Sequence, residues 1–392
     1  MDFTPDEDHE LIAAAVAARC ADFDDTYWAD CDEQHRFPWE FYTAMAEDGW
    51  LGMAIPERYG GGGRGITEAA ILMREVAKSG AAMNGCSALH LTVFGLEPVV
   101  RFGNERLKQT FLPRAAAGDL HVSFGVTEPN AGTDTSKIAT RATRQDDGSW
   151  RISGQKIWTT KALEADVILI LVRTGGVPGE GPPDDRFGGL TLFLADMDPD
   201  HVEIRPTKKV GRNAVTTGET FYDELPVEEW RMVGEEGRGF HHILSGLNPE
   251  RILIAAEAIG IGEAALRRAV AYAGEREVFG RPIGTNQALS HPLADAYARL
   301  QAAWQMVLLA GWRYDHGLSC GEAANTAKYL AAEAGYLAAD RAMQTHGGLG
   351  YASEYHVERY WREARLMRIA PVSQEMTLNY LAQSVLGLPR SY

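Results

Sequence analysis

Cysteine is scarce in this chain of 392 residues, which contains only four. The four lie far apart, form no Cys-x-x-Cys motif and are not combined with histidine at the spacing of a metal site. We therefore expect reduced thiols rather than disulfides or a metal centre. They are Cys20, Cys31, Cys86 and Cys320.

Long apolar runs and an excess of positive charge are also missing. No stretch reaches the about 18 apolar residues that a membrane-spanning helix needs. The net charge of −16 argues against nucleic-acid binding and against an anionic membrane surface, although local basic pockets for phosphate groups stay possible. The acidic N-terminal sequence has neither the basic start nor the apolar run of a signal peptide, so a cytoplasmic protein is expected.

What the chain does contain is enough apolar sequence, 45%, for a large buried core. Its length indicates two or three compact units. Residues 5–114 have helical spacing of Ala, Leu, Glu and Met. Short Val-, Ile- and Thr-rich segments follow and predict antiparallel strands. Their ranges are 121–126, 140–144, 150–157, 165–173 and 190–196, with an exposed loop expected at 174–186.

Helical spacing returns after about residue 237. Long Ala- and Leu-rich segments are predicted at 249–275, 292–316, 320–346 and 353–366, with a last helix at 374–385. The expected fold is therefore mostly α with a central antiparallel, barrel-like β domain and a C-terminal antiparallel four-helix bundle. The predicted domains are 1–120, 121–235 and 236–392.

The segment FGVTEPNAGTDTSK, which starts at Phe124, predicts a tight turn with ligand-binding potential. Pro129 restricts Glu128 to an extended backbone. The polar and glycine residues after it leave main-chain N–H groups available to an acceptor-rich ligand. The alternative is an ordinary polar loop between strands. A second segment, WRISGQKIWTT, starts at Trp150.

These two segments together resemble the flavin-contacting region of the acyl-CoA dehydrogenase family, and the resemblance covers about residues 5–385. The resemblance implies a flavoprotein with FAD. The predicted order along the chain, from helices to strands to a helical bundle, is also the order found in this family. The flavin contacts that it implies here are Phe124, Val126, Thr127, Gly132, Thr133, Trp158 and Thr160. Thr133 is also implied in acyl-CoA binding.

Two later segments are similar to motifs of the same family. Arg276-Glu277-Val278-Phe279-Gly280, with Gln287 after it, resembles the segment that reaches the flavin diphosphate and adenosine of a neighbouring subunit. A homotetramer built as a dimer of dimers is therefore implied. Gln344 and Gly348 lie in a glycine cluster that contacts the adenine half of the flavin in relatives. A solvated arginine at a helix end and a simple helix C-cap are the alternatives.

The catalytic base is the point at which the chain departs from the commonest family pattern. Many relatives carry a glutamate after the segment that resembles Arg362–Arg365, and this position holds Pro371 here. Proline has no N–H to polarise a thioester carbonyl. Ser373 and Glu375, a little further on, are implied near the flavin, and Glu375 competes as the base.

A subset of the family, which includes the isovaleryl-CoA and long-chain types, has its base on a bundle helix. GLNPERILIA resembles that segment and places Glu250 as the base, with Asn248 and Arg251 beside the substrate. Pro249 is predicted in a first helical turn, which would put Glu250 near the positive end of the helix. The alternative is that Glu250 only balances the helix dipole.

The resemblance thus implies an FAD-dependent dehydrogenase that converts an acyl-CoA to a trans-2-enoyl-CoA and passes electrons to an electron-transfer flavoprotein. Two alternatives stay open. One is an acyl-CoA oxidase or flavin monooxygenase with the same fold. The other is a non-catalytic flavin-binding scaffold, which the proline at position 371 motivates.

Overall fold

The computed structural model describes residues 6–180 and 185–390 of the chain. Within them, helices come first, strands follow, and helices return, which confirms the predicted order. The expected loop at 174–186 lies partly outside the described residues. The helices before the first strand are α1 (Glu7–Cys20), α2 (Asp25–Glu33), α3 (Trp39–Glu47), α4 (Ile66–Val76), α5 (Ala82–Val93), α6 (Glu97–Phe102) and α7 (Glu105–Ala117).

The central strands form a mixed sheet rather than a purely antiparallel one. In the described residues its order is β6-β7-β3-β2-β4-β5-β8, with β1 paired to β4. The β1–β4 and β2–β4 pairs are parallel, because the chain between the partners is long enough for a crossover. The strands are β1 (Val122–Gly125), β2 (Arg141–Arg144), β3 (Trp150–Thr160), β4 (Val167–Arg173), β5 (Leu190–Asp196), β6 (Val202–Pro206), β7 (Thr217–Val227) and β8 (Met232–Val233).

Strand β4 is buried along its whole length and separates two apolar clusters. Val167, Leu169 and Leu171 pack with α6 and α7, whereas Ile168 and Ile170 point to the opposite cluster. Side chains alternate between the two faces along a strand. A strand that is buried on both faces, such as β4, therefore needs a continuous apolar sequence. The sheet is thereby buried on both faces of β4, and β1, which pairs with β4, lies inside the sheet.

The C-terminal part is a bundle of long helices, as expected. Its first helix, α8, begins at Gly239 and not at Pro249, so the prediction of a first helical turn at Glu250 is wrong. Pro249 lies inside the helix, where it removes one main-chain hydrogen bond. The elements are α8 (Gly239–Glu275), β9 (Glu277–Val278), β10 (Arg281–Pro282), α9 (Gln287–Asp315), α10 (Gly321–His346), α11 (Val357–Leu366) and α12 (Gln374–Tyr380).

The N-terminal helices and the bundle share one core. Apolar residues of α1 to α5 and of α8 to α11 belong to a single buried cluster, and α5 packs directly on α8. This contact brings the middle of α8 against α5 and the start of the sheet. In the described part of the chain, no helix has the length and apolarity to cross a bilayer.

Glu363 of α11 is a buried carboxylate where the bundle contacts the N-terminal helices. Its Oε2 accepts a hydrogen bond from the Met83 N–H at 2.5 Å. Burial, with Asp32 nearby, raises the pKa of Glu363 to about 7 from 4.5. The folded protein therefore holds a proton that the unfolded chain releases between these values, so the contribution of this group to stability is lost as the pH rises through about 7.

We expect Glu363→Gln to remove this pH dependence. The unfolding free energy of the variant minus that of the unmodified protein should increase by roughly 1–3 kcal/mol when the pH is raised from 5 to 8. This range follows because one pKa unit corresponds to about 1.4 kcal/mol. Denaturant titrations at the two pH values measure the difference. Glu354→Gln, at an exposed position, is the control and should leave the pH slope unchanged. Parallel slopes for Glu363→Gln and the unmodified protein would contradict this account.

Candidate functional site: a carboxylate cavity beside an exposed tryptophan wall

The turn after β1 is held rigidly by a buried ion pair. Main-chain hydrogen bonds of 3.1 Å join Glu128 and Ala131 in both directions and close the turn. The Glu128 carboxylate accepts the N–H groups of Ala139 and Thr140 and meets Lys156 Nζ at 2.8 Å. Burial alone raises the pKa of Glu128, but the charge of Lys156 and these hydrogen bonds lower it below its usual value. The turn is therefore anchored by an ionised carboxylate.

The turn and strand β3 are direct neighbours, as the two sequence motifs predicted. The Ile157 N–H donates to the Thr127 carbonyl at 2.9 Å, and Lys156 Nζ donates to the Val126 carbonyl at 3.0 Å. The pairing of β3 with β7 shifts register between Lys156 and Thr159. Trp158 lies in this bulge with a φ of 61° and a side chain that is 58% exposed. A large indole thus faces solvent beside the turn.

The other predicted flavin residues of this region are distributed around the same turn. Gly132 and Thr133 are exposed directly after it, and a Cβ added at Gly132 would have no atom within 4 Å. Thr160 Oγ1 accepts a hydrogen bond from Arg212 at 3.2 Å. An exposed aromatic surface next to open main-chain donors fits a planar, acceptor-rich cofactor such as a flavin.

Arg212 was missed by the sequence analysis, and nothing in its local sequence distinguishes it. Its guanidinium donates to Thr217 Oγ1 at 2.7 Å as well as to Thr160, and it reaches Ser87 Oγ of α5 at 3.4 Å. Burial lowers the pKa of Arg212, and Glu363 and Glu257 oppose that effect. This cation therefore links the strand that carries Trp158 to helix α5.

Glu250 and Phe124 lie on one cavity between α5, α6, the start of the sheet and α8. The lining residues are His90, Leu91, Phe94, Gly95, Pro98, Phe124, Ile243, Gly246, Leu247 and Glu250. Most of them are apolar, so a small number of polar groups stands out against an apolar wall. A residue that the resemblance places at the flavin and the residue that it makes the base thus share one cavity.

The surroundings of Glu250 change the affinity of its carboxylate for protons. Burial raises the pKa of Glu250, with a further increase from Glu257, whereas His90 and Arg251 lower it. Arg251 Nη1 donates to Asn248 Oδ1 at 3.2 Å, so the two predicted substrate residues contact each other. A carboxylate with a raised pKa in an apolar cavity has the character of a general base.

The segment around the proline at position 371 has a different environment. Ser373 caps α12 by accepting the Met376 N–H at 3.3 Å. Glu375 is exposed, and its own main chain, together with Ser373, lowers its pKa. Lys328 of α10 donates to the Val372 carbonyl at 2.7 Å. An exposed carboxylate with a lowered pKa is poorly suited to abstract a proton from carbon.

The remaining predicted cofactor residues lie at the far end of the bundle. Helix α8 runs about 38 Å from Glu250 to its C-terminus, at 1.5 Å per residue. Arg276 caps that end and is exposed, and Phe279 is completely exposed with a φ of 54°. Tyr272 stacks on His346 with ring centroids 4.3 Å apart, which brings the end of α10 to the same place. Gln287, Gln344 and Gly348 are exposed at this end.

Other chemistry was sought in the same residues. All four cysteines are buried and unpaired. Over residues 6–180 and 185–390, no group of three or more His, Cys, Asp or Glu side chains could hold a metal ion. His346 Nδ1 donates a hydrogen bond to the Ala342 carbonyl at 2.8 Å, which agrees with a structural role. The cavity at Glu250 and the turn beside Trp158 remain the features that point to chemistry.

Comparisons with known proteins agree with this geometry. Residues 6–119, 123–225 and 237–386 match the N-terminal, middle and C-terminal domains of acyl-CoA dehydrogenase. The chain is 38% identical over 397 residues to acyl-CoA dehydrogenase fadE12 of Mycobacterium bovis, covering 100% of this chain and 99% of that protein. The solved structure of butyryl-CoA dehydrogenase from Megasphaera elsdenii superposes with a TM-score of 0.92 at 29% identity, over 98% of this chain and 100% of its own.

A further solved chain, from a study of an electron transferring flavoprotein of Acidaminococcus fermentans, has a TM-score of 0.91 at 30% identity and covers 98% of this chain and 100% of its own. Sequence and fold therefore agree along the whole length. The chain belongs to the acyl-CoA dehydrogenase family, whose members are flavoproteins and oxidoreductases that act on CH–CH groups.

Proposed function

We propose that the chain binds FAD and oxidises an acyl-CoA to a trans-2-enoyl-CoA, with Glu250 as the base that removes the α-proton. The observation that carries this proposal is the cavity shared by Glu250 and Phe124, a residue of the strand that leads into the turn of Thr127. The bound flavin would supply the acceptor for the β-hydride. Its ring would be held by Phe124, Val126, Thr127, Gly132, Thr133, Trp158 and Thr160, with Ser373 and Glu375 near it.

The chain's own groups have separate tasks in this reaction. The apolar wall would bind the acyl chain, and the bound chain would exclude water from the Glu250 carboxylate, whose side chain is 27% exposed without it, and so keep it basic. Asn248, Arg251 and Thr133 would hold the polar part of the substrate. The residue at 371 donates no N–H, so the thioester carbonyl must be polarised by another donor of the chain or by the cofactor.

The location of Arg276 and Phe279 supports a homotetramer built as a dimer of dimers. These residues lie about 38 Å from Glu250 along α8 and are exposed, so they suit a flavin bound mainly by a second copy. Gln287, Gln344 and Gly348 belong to the same end. We propose an electron-transfer flavoprotein as electron acceptor, which the similarity to a chain from the Acidaminococcus study supports. The domain boundaries at 120 and 235 and a cytoplasmic location also stay proposals.

The proposal is tested by anaerobic titration of the purified yellow protein with acyl-CoAs that differ in length and branching. A dehydrogenase is expected to lose its flavin absorbance with at least one of them and to recover it slowly in air. Rapid recovery with release of peroxide would instead identify an oxidase or monooxygenase. No change with any thioester would favour a non-catalytic flavin-binding scaffold.

Gly246 offers a way to change substrate preference without loss of stability. It lies inside α8 and lines the cavity, and a Cβ added there would have no atom within 4 Å. We expect Gly246→Ala to stabilise the helix by about 0.5–1 kcal/mol. The added methyl group should lower kcat/KM for the bulkiest accepted acyl-CoA by about tenfold or more relative to the smallest.

The matched control is Gly274→Ala. Gly274 also lies in α8 with open space at its Cβ, but it is exposed and outside the cavity. This variant should gain similar stability and keep the acyl-CoA preference of the unmodified protein. Equal preferences in both variants would show that the acyl chain does not pass Gly246.

A further inference from the structure

A buried histidine lies between two carboxylates of helix α8. His90 of α5 has Nδ1 2.7 Å from Glu257 Oε1 and Nε2 3.8 Å from Glu250 Oε1. Glu250 and Glu257 are seven residues apart, which is about two helical turns, so they lie on the same face of α8. The two imidazole nitrogens therefore face different carboxylates: Nδ1 is within hydrogen-bond distance of Glu257, and Nε2 faces Glu250 at a longer distance.

The pair of His90 and Glu257 is strongly shielded from water, whereas the Glu250 side chain is 27% exposed towards the cavity. The Glu257 side chain is 0% exposed and that of His90 is 9% exposed. Glu257 Oε2 has no hydrogen-bond partner among the described residues. In its ionised form, a buried carboxylate that is neither solvated nor fully hydrogen-bonded is stabilised strongly by a nearby cation. The imidazole is placed to be that cation for both acids.

The charged groups around the cluster come from three elements. On α8, Arg251 lies beside Glu250, and in the loop after β6, Arg212 opposes a charge on His90. Cys86, one turn before His90 on α5, is a thiol whose pKa burial raises far above its usual value, so it stays neutral. Burial lowers the pKa of His90, but Glu257 and then Glu250 raise it above its usual value.

We propose that His90 is a positioning residue that keeps Glu250 ionised at neutral pH, and that Glu257 holds its imidazole in place by the hydrogen bond to Nδ1. This inference rests on the proposed role of Glu250 as the base. The distance of 3.8 Å from Nε2 is too long for a hydrogen bond but short enough for a charge interaction in a cavity lined mostly by apolar residues. Proton removal from carbon needs the ionised form of Glu250, so the effect of His90 is on the pH range of activity.

The test is the pH dependence of single-turnover flavin reduction by an acyl-CoA that bleaches the unmodified protein. His90→Gln removes the cation, so the acidic limb of the rate profile should shift to higher pH by about one pH unit or more. At low pH this shift lowers the rate about tenfold. In the double variant H90Q/E257Q, the repulsion from Glu257 is also absent. Its limb should therefore lie between those of His90→Gln and the unmodified protein.

The double variant also serves if His90→Gln does not fold, because it leaves no unpaired carboxylate at position 257. A rate loss that is equal at every pH would indicate a purely structural role and overturn the inference, as would an unmoved limb in the double variant. Glu250→Gln separates the two hypotheses. If it reduces the flavin as fast as the unmodified protein, the proposed base is wrong. If it is inactive while the His90 profiles are unchanged, only the role of His90 fails.

Discussion

Replacing Glu250 with glutamine is expected to slow flavin reduction by an acyl-CoA by about 10²–10⁴-fold, the usual contribution of a general base. Glutamine preserves the size of the side chain but cannot accept the α-proton. Because Glu250 lines the cavity without a short hydrogen bond among the described contacts, the fold and the flavin content should be retained. Anaerobic stopped-flow absorbance at saturating substrate measures the rate.

Glu375→Gln is the matched control for this experiment. Glu375 is the other carboxylate that the sequence offers as a base, but it is exposed and its pKa is lowered. We expect this variant to change the reduction rate by less than about tenfold. The reverse result, with a fast Glu250→Gln and a slow Glu375→Gln, would move the base to the segment after the proline.

Replacing Lys156 with methionine is expected to destabilise the protein by about 3–5 kcal/mol, because it leaves the buried Glu128 carboxylate without its cation. The pair holds the turn against β3, since Lys156 also donates to the Val126 carbonyl. Loss of the pair should therefore also weaken flavin retention. Denaturant unfolding of the apoprotein and the flavin-to-protein absorbance ratio measure the two effects.

Two comparisons show whether burial of the charge is the cause. The double variant K156M/E128Q removes both charges and should be less destabilised than Lys156→Met alone. Lys137→Met, which breaks an exposed pair with Asp134 in the same region, should cost at most about 1 kcal/mol. Equal losses in Lys156→Met and Lys137→Met would contradict the account.

The local motifs predicted the packing of the turn against β3, whereas the flavin contacts assigned to these residues stay predictions. The adjacency of Thr127 and Ile157 follows from two segments whose residue types match one turn and one strand. The partnership of Glu128 with Lys156 was not predictable, although both residues lie in those segments. The pairing depends on how the turn after β1 packs against β3, which local sequence does not specify.

The start of α8 shows where local sequence signals fail. The residues before Pro249 include glycine and asparagine, which favour a helix boundary when they are considered alone. Packing against α5 and the sheet makes the same residues helical, since most helix stability in proteins comes from tertiary contacts. Strands β6 and β7 were also missed: β6 has only five residues, and the charged and proline residues of β7 interrupt its alternation.

The cluster of His90 with Glu250 and Glu257 has no sequence signature. His90 and Glu257 are 167 residues apart and meet only because α5 packs on α8. Neither residue stands in a motif that the sequence analysis recognised. The family resemblance indicated Glu250 as the proposed base, whereas the proposed role of His90 follows only from the packing of α5 on α8.

Hydrogen exchange at the substrate α-carbon tests the role of Glu250 most directly. The unmodified protein, Glu250→Gln and Glu375→Gln would each be mixed anaerobically with a bleaching acyl-CoA in D₂O, and deuterium at the α-carbon would be measured by mass spectrometry. The account predicts incorporation with the unmodified protein and with Glu375→Gln, and almost none with Glu250→Gln at equal flavin content. Incorporation by Glu250→Gln at the rate of the unmodified protein would contradict it.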